Sequence, residues 1–286
     1  MTTDDGSWSM VLAERSPAAI GKNWHSFIAG IVLLFAWEAF GCLYDRPMLI
    51  PWPSHIVFVS FPSLAIFGGA EVPDTWFAMR ILASQLTVTL GRIAVGVVGG
   101  GILGLAFGVA AFSVAVHCRR EPPLLVLIRS LPPFALIPLF VLWFAGSEVG
   151  VWLYLTFSVS MLVATGTYQA IDNVPSRYLL QARLMGASRL QRLTTVVFPA
   201  IVPEVAGTVR NVLGMSWALS LGAEYAGASD GLGRLVYLSY TYADMGKIAA
   251  LAAVYAASGL VAFFIWSLAW TGAVGQRWRL SKGVVQ

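Results

Sequence analysis

Three arginines and one glutamate stand inside or at the end of long apolar stretches of this sequence: Arg92, Arg129, Arg210 and Glu224. An ionisable side chain within a lipid bilayer costs at least ~2.5 kcal/mol on insertion scales, so each one needs a polar partner or a water-lined cavity. The chemistry that such residues offer is the recognition or pairing of charge. The apolar stretches lack clusters of His, Asp, Glu or Cys at the spacing of a metal site or a catalytic triad, which argues against an enzyme embedded in a membrane.

Glu224 shares one predicted helix face with Trp217 and Ser220, which precede it by seven and four residues. These three residues are our preferred candidates for side chains that face a solute pathway. The alternative interpretation is a tryptophan at the membrane surface and a carboxylate in a loop. The spacing is compatible with both interpretations.

Arg210 follows Pro199 by eleven residues. At 1.5 Å per residue it lies about 16 Å along a helix that begins near that proline, close to the middle of a bilayer. One interpretation is a structural ion pair with Glu204 or Glu38, and the other is a place in the pathway. The sequence favours neither interpretation over the other.

Two further arginines have two interpretations each. Arg92 follows the polar residues of the segment 84–89, so it either lines a cavity or lies near the outer membrane surface. Arg129 stands close to Pro132 and Pro133, and prolines leave backbone carbonyls without their helical partners. Arg129 therefore either adds positive potential for an anion, or caps those carbonyls or extends to the inner surface.

Composition predicts a membrane protein. Of 286 residues, 58% are hydrophobic and only 11% are charged, against about 25% charged in soluble domains, and the mean hydropathy is +0.75. The sequence therefore predicts an all-α membrane protein of about six spans. The predicted spans are residues 27–44, 81–116, 123–145, 149–170, 197–222 and 248–274, with an external loop over 71–80.

Charge distribution predicts the orientation of these spans. Eleven of the 18 Lys and Arg residues fall in the segments predicted to be inside, four fall outside and three fall within spans. This bias places both termini in the cytoplasm. We expect a cytoplasmic tail over 1–25, a transmembrane domain over 26–275 and a second tail over 276–286. The net charge of +4 comes from loop arginines and does not indicate nucleic-acid binding.

A glycine series marks the second span. Gly96, Gly100, Gly104 and Gly108 recur every four residues, a spacing that lets helices approach closely in a membrane. The partner helix belongs either to the same chain or to a second copy. Packing within the chain is the preferred interpretation.

The segment 175–199 interrupts the apolar pattern with four arginines. Its apolar residues recur at helical spacing, and Gly186 in the middle predicts two short helices. Pro199 marks the entry into the fifth span. A basic segment between two spans favours a cytoplasmic helix-turn-helix that binds a partner protein.

This segment resembles the loop of bacterial ABC-importer permeases, whose pattern is Glu-Ala-Ala, three residues, Gly, nine residues, Ile, one residue, Leu-Pro. With Gly186 on its glycine and Pro199 on its proline, Val196 stands at its isoleucine and Phe198 at its leucine. The Glu-Ala-Ala positions hold Leu180, Gln181 and Ala182, so the acidic residue is missing. The resemblance implies contact with an ATPase through ten residues: Leu179, Leu180, Gln181, Ala182, Arg183, Gly186, Ala187, Ser188, Arg189 and Pro199.

Other segments resemble the branch of that family that transports nitrate, sulfonates, taurine and bicarbonate. They are IPWPSHIV, LIRSLPPFALIPLFVLWFAGSE and AEYAGASDGLGRLV, and the similarity covers residues 27 to 275 in order. It implies a type I ABC importer fold with a coupling helix between spans 4 and 5, in a bacterial inner membrane. The implied partners are a second permease copy, two cytoplasmic ATPase subunits and an external solute-binding protein.

The sequence has no Gly-x-x-x-x-Gly-Lys-Ser/Thr phosphate loop. We therefore expect no cofactor in this chain and expect ATP and Mg²⁺ to bind a separate subunit. The resemblance implies a permease that imports a small anion by alternating access and catalyses no reaction itself. Alternatives are a permease for an aromatic acid or a pyrimidine, and a carrier that needs no ATPase.

Overall fold

The computed structural model describes residues 18–118 and 122–270. These residues are helical and contain no strand. The predicted C-terminal tail 276–286, residues 1–17 of the predicted N-terminal tail, and Arg119 and Arg120 lie outside the described residues.

The described chain consists of helices joined by short connections. In chain order they are α1 (Ala18–Tyr44), α2 (Pro53–Gly68, with π and 3₁₀ turns), α3 (Thr75–Cys118), α4 (Pro123–Ser130), α5 (Pro133–Trp143), α6 (Glu148–Asp172), α7 (Ser176–Leu184), α8 (Phe198–Gly227), α9 (Leu232–Thr241) and α10 (Met245–Trp270). A short helix, Arg189–Arg192, and a π turn, Leu193–Val197, lead directly into α8.

Four of these helices are long and apolar enough to cross a membrane: α3, α6, α8 with its leading turns, and α10. The pair α4 and α5 makes a fifth span if it is counted as one. The described apolar part of α1 is Ile28–Tyr44, which is shorter than these spanning helices. The predicted spans therefore all correspond to apolar helices, although the third and the first differ from simple long spans.

The third span, predicted over 123–145, consists of two helices, α4 and α5. Its two halves meet at an angle of 82°. The break lies at Leu131, whose ψ of 120° is extended, because a residue that precedes proline is disfavoured in the helical region. Pro132 and Pro133 follow it, and Pro133 begins the next helical turn. The proline pair thus divides the span.

The predicted external loop over 71–80 is wrong in its second half, because α3 begins at Thr75. The Asp74 carboxylate accepts a hydrogen bond of 2.8 Å from the backbone N–H of Trp76, which satisfies one donor at the start of the helix. With 44 residues, α3 is about 66 Å long, roughly twice the thickness of a membrane core. The helix therefore extends well beyond the bilayer.

The glycine series packs within the chain, as preferred from the sequence. A Cβ built on Gly96 would lie 2.6 Å from the Cβ of Leu155, and one on Gly104 would lie 2.6 Å from the Cβ of Val163. Gly100 and Gly108 face α6 in the same way. Small residues let two backbones approach closely and gain dispersion contacts in a membrane. This glycine seam holds α3 against α6.

Helix α9 was not predicted from the sequence. The chain bends at Asp230 and Gly231 and enters this helix directly at Leu232. Leu232 is fully buried and joins a core formed with α2, α3 and α10, in which Leu64 and Leu251 are also fully buried. This core assembles one end of the bundle, next to the ion-pair network described below.

Candidate functional site

Arg92 lies at the centre of a buried ion-pair network. Its side chain is 1% exposed, and its Nη1 donates to Oε1 of Glu224 at 3.0 Å and to the carbonyl of Asp230 at 2.9 Å. Its Nε donates to Glu148 at 3.1 Å, and its Nη2 contacts the carboxylates of both Glu148 and Asp230. One guanidinium therefore connects α3, the start of α6, the end of α8 and the loop that follows α8.

Glu224 is fully buried, and its carboxylate is fully supplied with hydrogen bonds. Besides Arg92, it accepts from Thr89 at 3.0 Å, Ser220 at 3.2 Å, the N–H of Gly233 at 2.8 Å and the hydroxyl of Tyr255 at 3.2 Å. A buried charge is tolerated only when it is paired and hydrogen-bonded. The ion pair with Arg92 and these four hydrogen bonds therefore explain how a carboxylate can be buried inside the bundle. The hydroxyl of Tyr255 also adds α10 to the network.

Gly231 allows the loop to approach the network. Its φ of +97° lies in the region that favours glycine, and a Cβ at this position would lie 2.5 Å from Cδ of Glu224. The N–H of Gly231 donates to Gln85, and the N–H of Leu232 donates to Thr89 at 3.1 Å. The polar face of α3 that preceded Arg92 in the sequence thus binds this loop.

The predicted pathway residues of α8 share one face, and this face is turned toward α10. Trp217 is 6% exposed and packs edge-on against Tyr255, with ring centroids 5.9 Å apart. Ser220 and Glu224 are fully buried above it. Trp217 is therefore enclosed by protein rather than placed at the membrane surface, and Glu224 lies in a helix rather than in a loop.

Arg210 lies two turns below Trp217 and is exposed. It borders a cavity of about 270 Å³ between α8 and α10, and its guanidinium carbon is 5.7 Å from the ring centre of Phe263. The lining of this cavity consists of Pro203, Ala206, Gly207, Arg210, Trp266 and Trp270. The α8–α10 face is consequently packed shut at the end near Glu224 and open at the end near Arg210.

The proposed ion pairs of Arg210 do not form. Glu204 accepts a hydrogen bond of 2.6 Å from Asn173, and Glu38 accepts from the N–H and hydroxyl of Ser54. Among the described residues, no carboxylate forms an ion pair with Arg210.

Arg129 occupies the last turn of α4, directly before the 82° break, and is exposed. A cation in the last turn of a helix is favourable because that end carries partial negative charge. Arg129 is not among the residues that line the cavity beside Arg210. Its contribution to a pathway stays a prediction.

Sequence reasoning did not identify Glu148 and Asp230 as partners of Arg92. Both acids stand at the end of an apolar stretch. The predicted third span, 123–145, precedes Glu148 and contains no acidic residue. An acid at a span end is the signal that could have suggested pairing with an arginine in a neighbouring span. The spacing along the sequence does not show with which arginine these acids pair, because they are 56 and 138 residues from Arg92.

At the opposite end of α6 and α8, the segment 176–199 forms the predicted helix-turn-helix, which we call the insert. Gly186 has a φ of +78° and ends α7, where the N–H of Ala187 donates to the carbonyl of Ala182 at 3.0 Å. Ser188 and Gln191 then exchange hydrogen bonds between side chain and backbone, which starts the second helix as a capping box.

Pro199 stands in the first turn of α8, as expected for the entry into the fifth span. It lacks an N–H, and its ring crowds the carbonyl four residues earlier, so the π turn Leu193–Val197 precedes it. Leu179 and Leu193 pack against a core around Ile171 and Ile201. The insert is therefore attached to the bundle through α6 and α8.

The outer surface of the insert is apolar and basic. Leu184 is 79% exposed and Met185 is 87% exposed, and Leu180 and Leu190 are exposed as well. The segment contains four arginines and no acidic residue. Such a surface is suited to an apolar groove with acidic groups beside it. The side chain of Arg189 lies outside the described residues.

The helical arrangement matches solved membrane proteins. One structure, of the MetNI methionine ABC transporter in inward-facing conformations, has a chain that matches at a TM-score of 0.55 with 20% identity, covering 67% of this chain and 93% of that one. A crystal structure of an amino acid ABC transporter with histidines matches at 0.57 with 18% identity, covering 73% and 97%. These likenesses define the fold as that of the membrane subunit of a type I ABC importer.

Residues 122–279 match the model of one protein family. The chain belongs to the family of binding-protein-dependent transport system inner membrane components. It is accordingly a multi-pass permease subunit that works with a separate ATPase and a solute-binding protein, and it catalyses no reaction itself.

Three relatives carry the names of one branch of ABC permeases, which transports sulfonates, taurine and nitrate. A candidate aliphatic sulfonates transport permease, SsuC of Bacillus subtilis, is 27% identical and covers 89% of each chain. The taurine transport system permease TauC of Escherichia coli is 28% identical over 80% of this chain and 78% of its own. The nitrate import permease NrtB of Leptolyngbya laminosa is 26% identical over 63% and 64%. The predicted resemblance to this branch is confirmed.

Proposed function

We propose that this permease imports a small anionic solute, such as a sulfonate, taurine, nitrate or a related organic acid. The observation that carries this proposal is Arg210, which borders an open cavity without a carboxylate partner among the described residues. An arginine near the middle of a span is costly unless it has a function or a partner. The names of three relatives refer to sulfonates, taurine and nitrate, and each of these solutes carries an anionic group.

A neutral heterocyclic solute is the second candidate. The formylaminopyrimidine transport permease ThiX of Halalkalibacterium halodurans is 26% identical over 71% of this chain and 76% of its own. The tryptophans beside Arg210 offer flat surfaces on which an aromatic ring can stack. This candidate differs from the first in needing no negative charge on the solute.

The proposed orientation places the insert in the cytoplasm and the network around Arg92 at the external end. The excess of Lys and Arg in the predicted inner segments supports this orientation. A second copy of the permease is proposed to complete the pathway, with an ATPase bound to each insert. The ten predicted coupling residues are proposed to contact that ATPase.

Helix α8 supplies a direct mechanical connection between the two ends. The helical backbone runs from Arg189 in the insert through the π turn to Gly227, and Glu224 stands in its last turn. When ATP brings the ATPase subunits together, the inserts move with them, and α8 carries this motion to the external end. Opening there requires the contacts of Glu224 with α3 and α10 to separate. We therefore propose that the network is the external gate.

Transport assays on the complete importer test this function. The permease, its ATPase and its binding protein are reconstituted in proteoliposomes, and ATP-dependent uptake of taurine, an alkanesulfonate, nitrate, an aromatic acid and a pyrimidine is measured. Uptake of one or more anions supports the proposal. Import of the pyrimidine alone would overturn the anionic assignment.

Replacement of residues 179–193 by a flexible linker tests coupling separately. We expect loss of ATP-dependent uptake because the exposed surface for the ATPase is gone. The permease should still fold, with a somewhat lower unfolding temperature, because Leu179 and Leu193 lose their packing against the core around Ile171 and Ile201. A carrier that needs no ATPase would keep its solute flux after this change. Retained ATP-dependent uptake would refute the coupling role of the insert.

A further inference from the structure

The open half of the α8–α10 face combines one charge with flat apolar walls. Pro203, Ala206, Gly207 and Arg210 follow one another at helical spacing along α8, and Trp266 and Trp270 stand one turn apart on α10. A Cβ added to Gly207 would meet no atom within 4 Å, so this part of the wall borders open space. The cavity is thus built from residues of two helices.

The size and lining of the cavity are suited to a small ligand. Its volume of about 270 Å³ is near the lower end of the ~300–1,000 Å³ typical of ligand sites. Such sites are lined mainly by apolar and aromatic side chains, with a few polar groups that orient the ligand. Here Arg210 supplies the polar group, and its guanidinium can bind a carboxylate or a sulfonate through two parallel hydrogen bonds.

Arg210 is held in place without being neutralised. Its guanidinium lies over the Phe263 ring at 5.7 Å, a cation–π contact that leaves its N–H donors available. Glu204, the acid closest to it in the helix, is engaged by Asn173 at 2.6 Å. The positive charge therefore remains available for an anion in the cavity.

The closed half of the same face lies next to the cavity, toward the end of α8 that carries Glu224. Trp217 packs against Tyr255, and a Cβ on Gly259 would be 3.8 Å from Trp217. Above them, Ser220 and Glu224 are fully buried. A ligand beside Arg210 would therefore be separated from the external end by packed protein, in the arrangement expected of a site that is open on one side only.

We propose that Arg210, Trp266 and Trp270 form a binding site for an organic anion with a flat or alkyl body, the charge on Arg210 and the body between the tryptophans. This inference rests on the proposed anion import and narrows its solute class. Nitrate would satisfy Arg210 but leave the tryptophan walls without contact. An anionic lipid offers the same chemistry, because its headgroup carries the anionic group and its acyl chains are the apolar body.

Binding measurements use the complete importer in nanodiscs of neutral phosphatidylcholine, with benzenesulfonate, methanesulfonate and benzylammonium as probes for titration calorimetry. We expect benzenesulfonate to bind more tightly than methanesulfonate, and benzylammonium not to bind. Arg210→Gln should weaken benzenesulfonate binding at least about tenfold, as for the loss of a charge-assisted hydrogen bond. Equal binding of benzylammonium would overturn the proposal.

Matched variants separate the site from general effects. Trp266→Leu and Trp270→Leu should weaken benzenesulfonate binding and leave methanesulfonate unchanged, because only the body of the ligand loses contact. Arg80→Gln and Trp76→Leu remove an exposed arginine and an exposed tryptophan from α3. These two variants should bind benzenesulfonate and methanesulfonate as the wild type does. If Arg210→Gln unfolds, Arg210→Lys keeps the charge but not the paired donors, and it should give intermediate binding. Unchanged binding in Arg210→Lys and in both tryptophan variants would overturn the site.

A second arm addresses the lipid. Native mass spectrometry with added phosphatidylglycerol should show no lipid whose retention depends on Arg210. Retention that is lost in Arg210→Gln and is unaffected by benzenesulfonate would assign the site to a lipid and overturn the proposal. The proposed function fails separately: wild-type importer that moves no anion refutes it, whereas anion uptake with the same KM in Arg210→Gln refutes this inference alone.

Discussion

The Arg92 guanidinium and the Glu224 carboxylate lie 3.0 Å apart where neither side chain reaches solvent. Each side chain compensates the charge of the other, because a buried charge without a partner is strongly unfavourable. Glu148 and Asp230 add two further carboxylates to the same guanidinium, and both are partly exposed. The network therefore has a buried centre and a solvent-facing rim, and it joins helices that would separate if the network opens as the proposed external gate.

Removal of Arg92 should destabilise the permease more than most single changes. Arg92→Leu leaves the Glu224 carboxylate buried and unpaired, and we expect a loss of about 3–5 kcal/mol in the free energy of unfolding. The double variant Arg92→Leu/Glu224→Leu should recover part of this loss. Thermal unfolding in detergent measures both, with Arg80→Leu on the exposed part of α3 as the control. Arg92→Leu with the stability of that control would contradict a structural role of the network.

The glycine seam gives a second test. A Cβ on Gly104 would lie 2.6 Å from Val163 and 2.7 Å from the carbonyl of Ser160, so Gly104→Ala forces α3 and α6 apart. Overpacking of this kind costs about 1–3 kcal/mol. Gly101→Ala, three residues earlier, meets nothing within 4 Å and is the matched control. The prediction concerns the difference in unfolding temperature between the two variants, and equal temperatures would be evidence against the seam.

Gly186 should be sensitive for a conformational reason. Its φ of +78° costs an ordinary residue about 1–2 kcal/mol, although the space around it is open. Gly186→Ala should therefore distort the turn of the insert and reduce the stimulation of ATPase activity by the binding protein, while the bundle keeps its stability. Gly30→Ala, at a helical position with open space, is the comparison. Full stimulation in Gly186→Ala would show that the turn tolerates the change.

The exposed leucine of the insert gives a test of the partner surface. Leu184 is 79% exposed, and Leu184→Asp places a negative charge on a surface that is otherwise apolar and basic. We expect at least about tenfold weaker binding of the ATPase to the permease in detergent, in the range of an interface hot spot. Leu184→Met keeps the apolar surface and should bind normally. Normal binding by the Asp variant would exclude Leu184 from the interface.

Several features could be read from local patterns. The apolar stretches located the spans, and the separation of Gly186 and Pro199 located the insert, because helix-breaking residues act within a turn of their own positions. The spacing of Trp217, Ser220 and Glu224 placed them on one face of α8, since a helix repeats every 3.6 residues. The bend at Pro132 and Pro133 was signalled by the prolines, but its angle of 82° was not.

The sequence by itself determined the class of protein, the order of its long apolar stretches and the character of the insert, because composition and periodicity are local properties. Only the tertiary structure decided which charges meet. Arg92 pairs with acids 56, 132 and 138 residues away, and Arg210 forms no ion pair with an acid in the part of the chain that the structure describes. Gly96, Gly100, Gly104 and Gly108 of α3 pack on α6 of the same chain. These outcomes depend on how the helices are arranged in space, and no spacing along one helix contains that information.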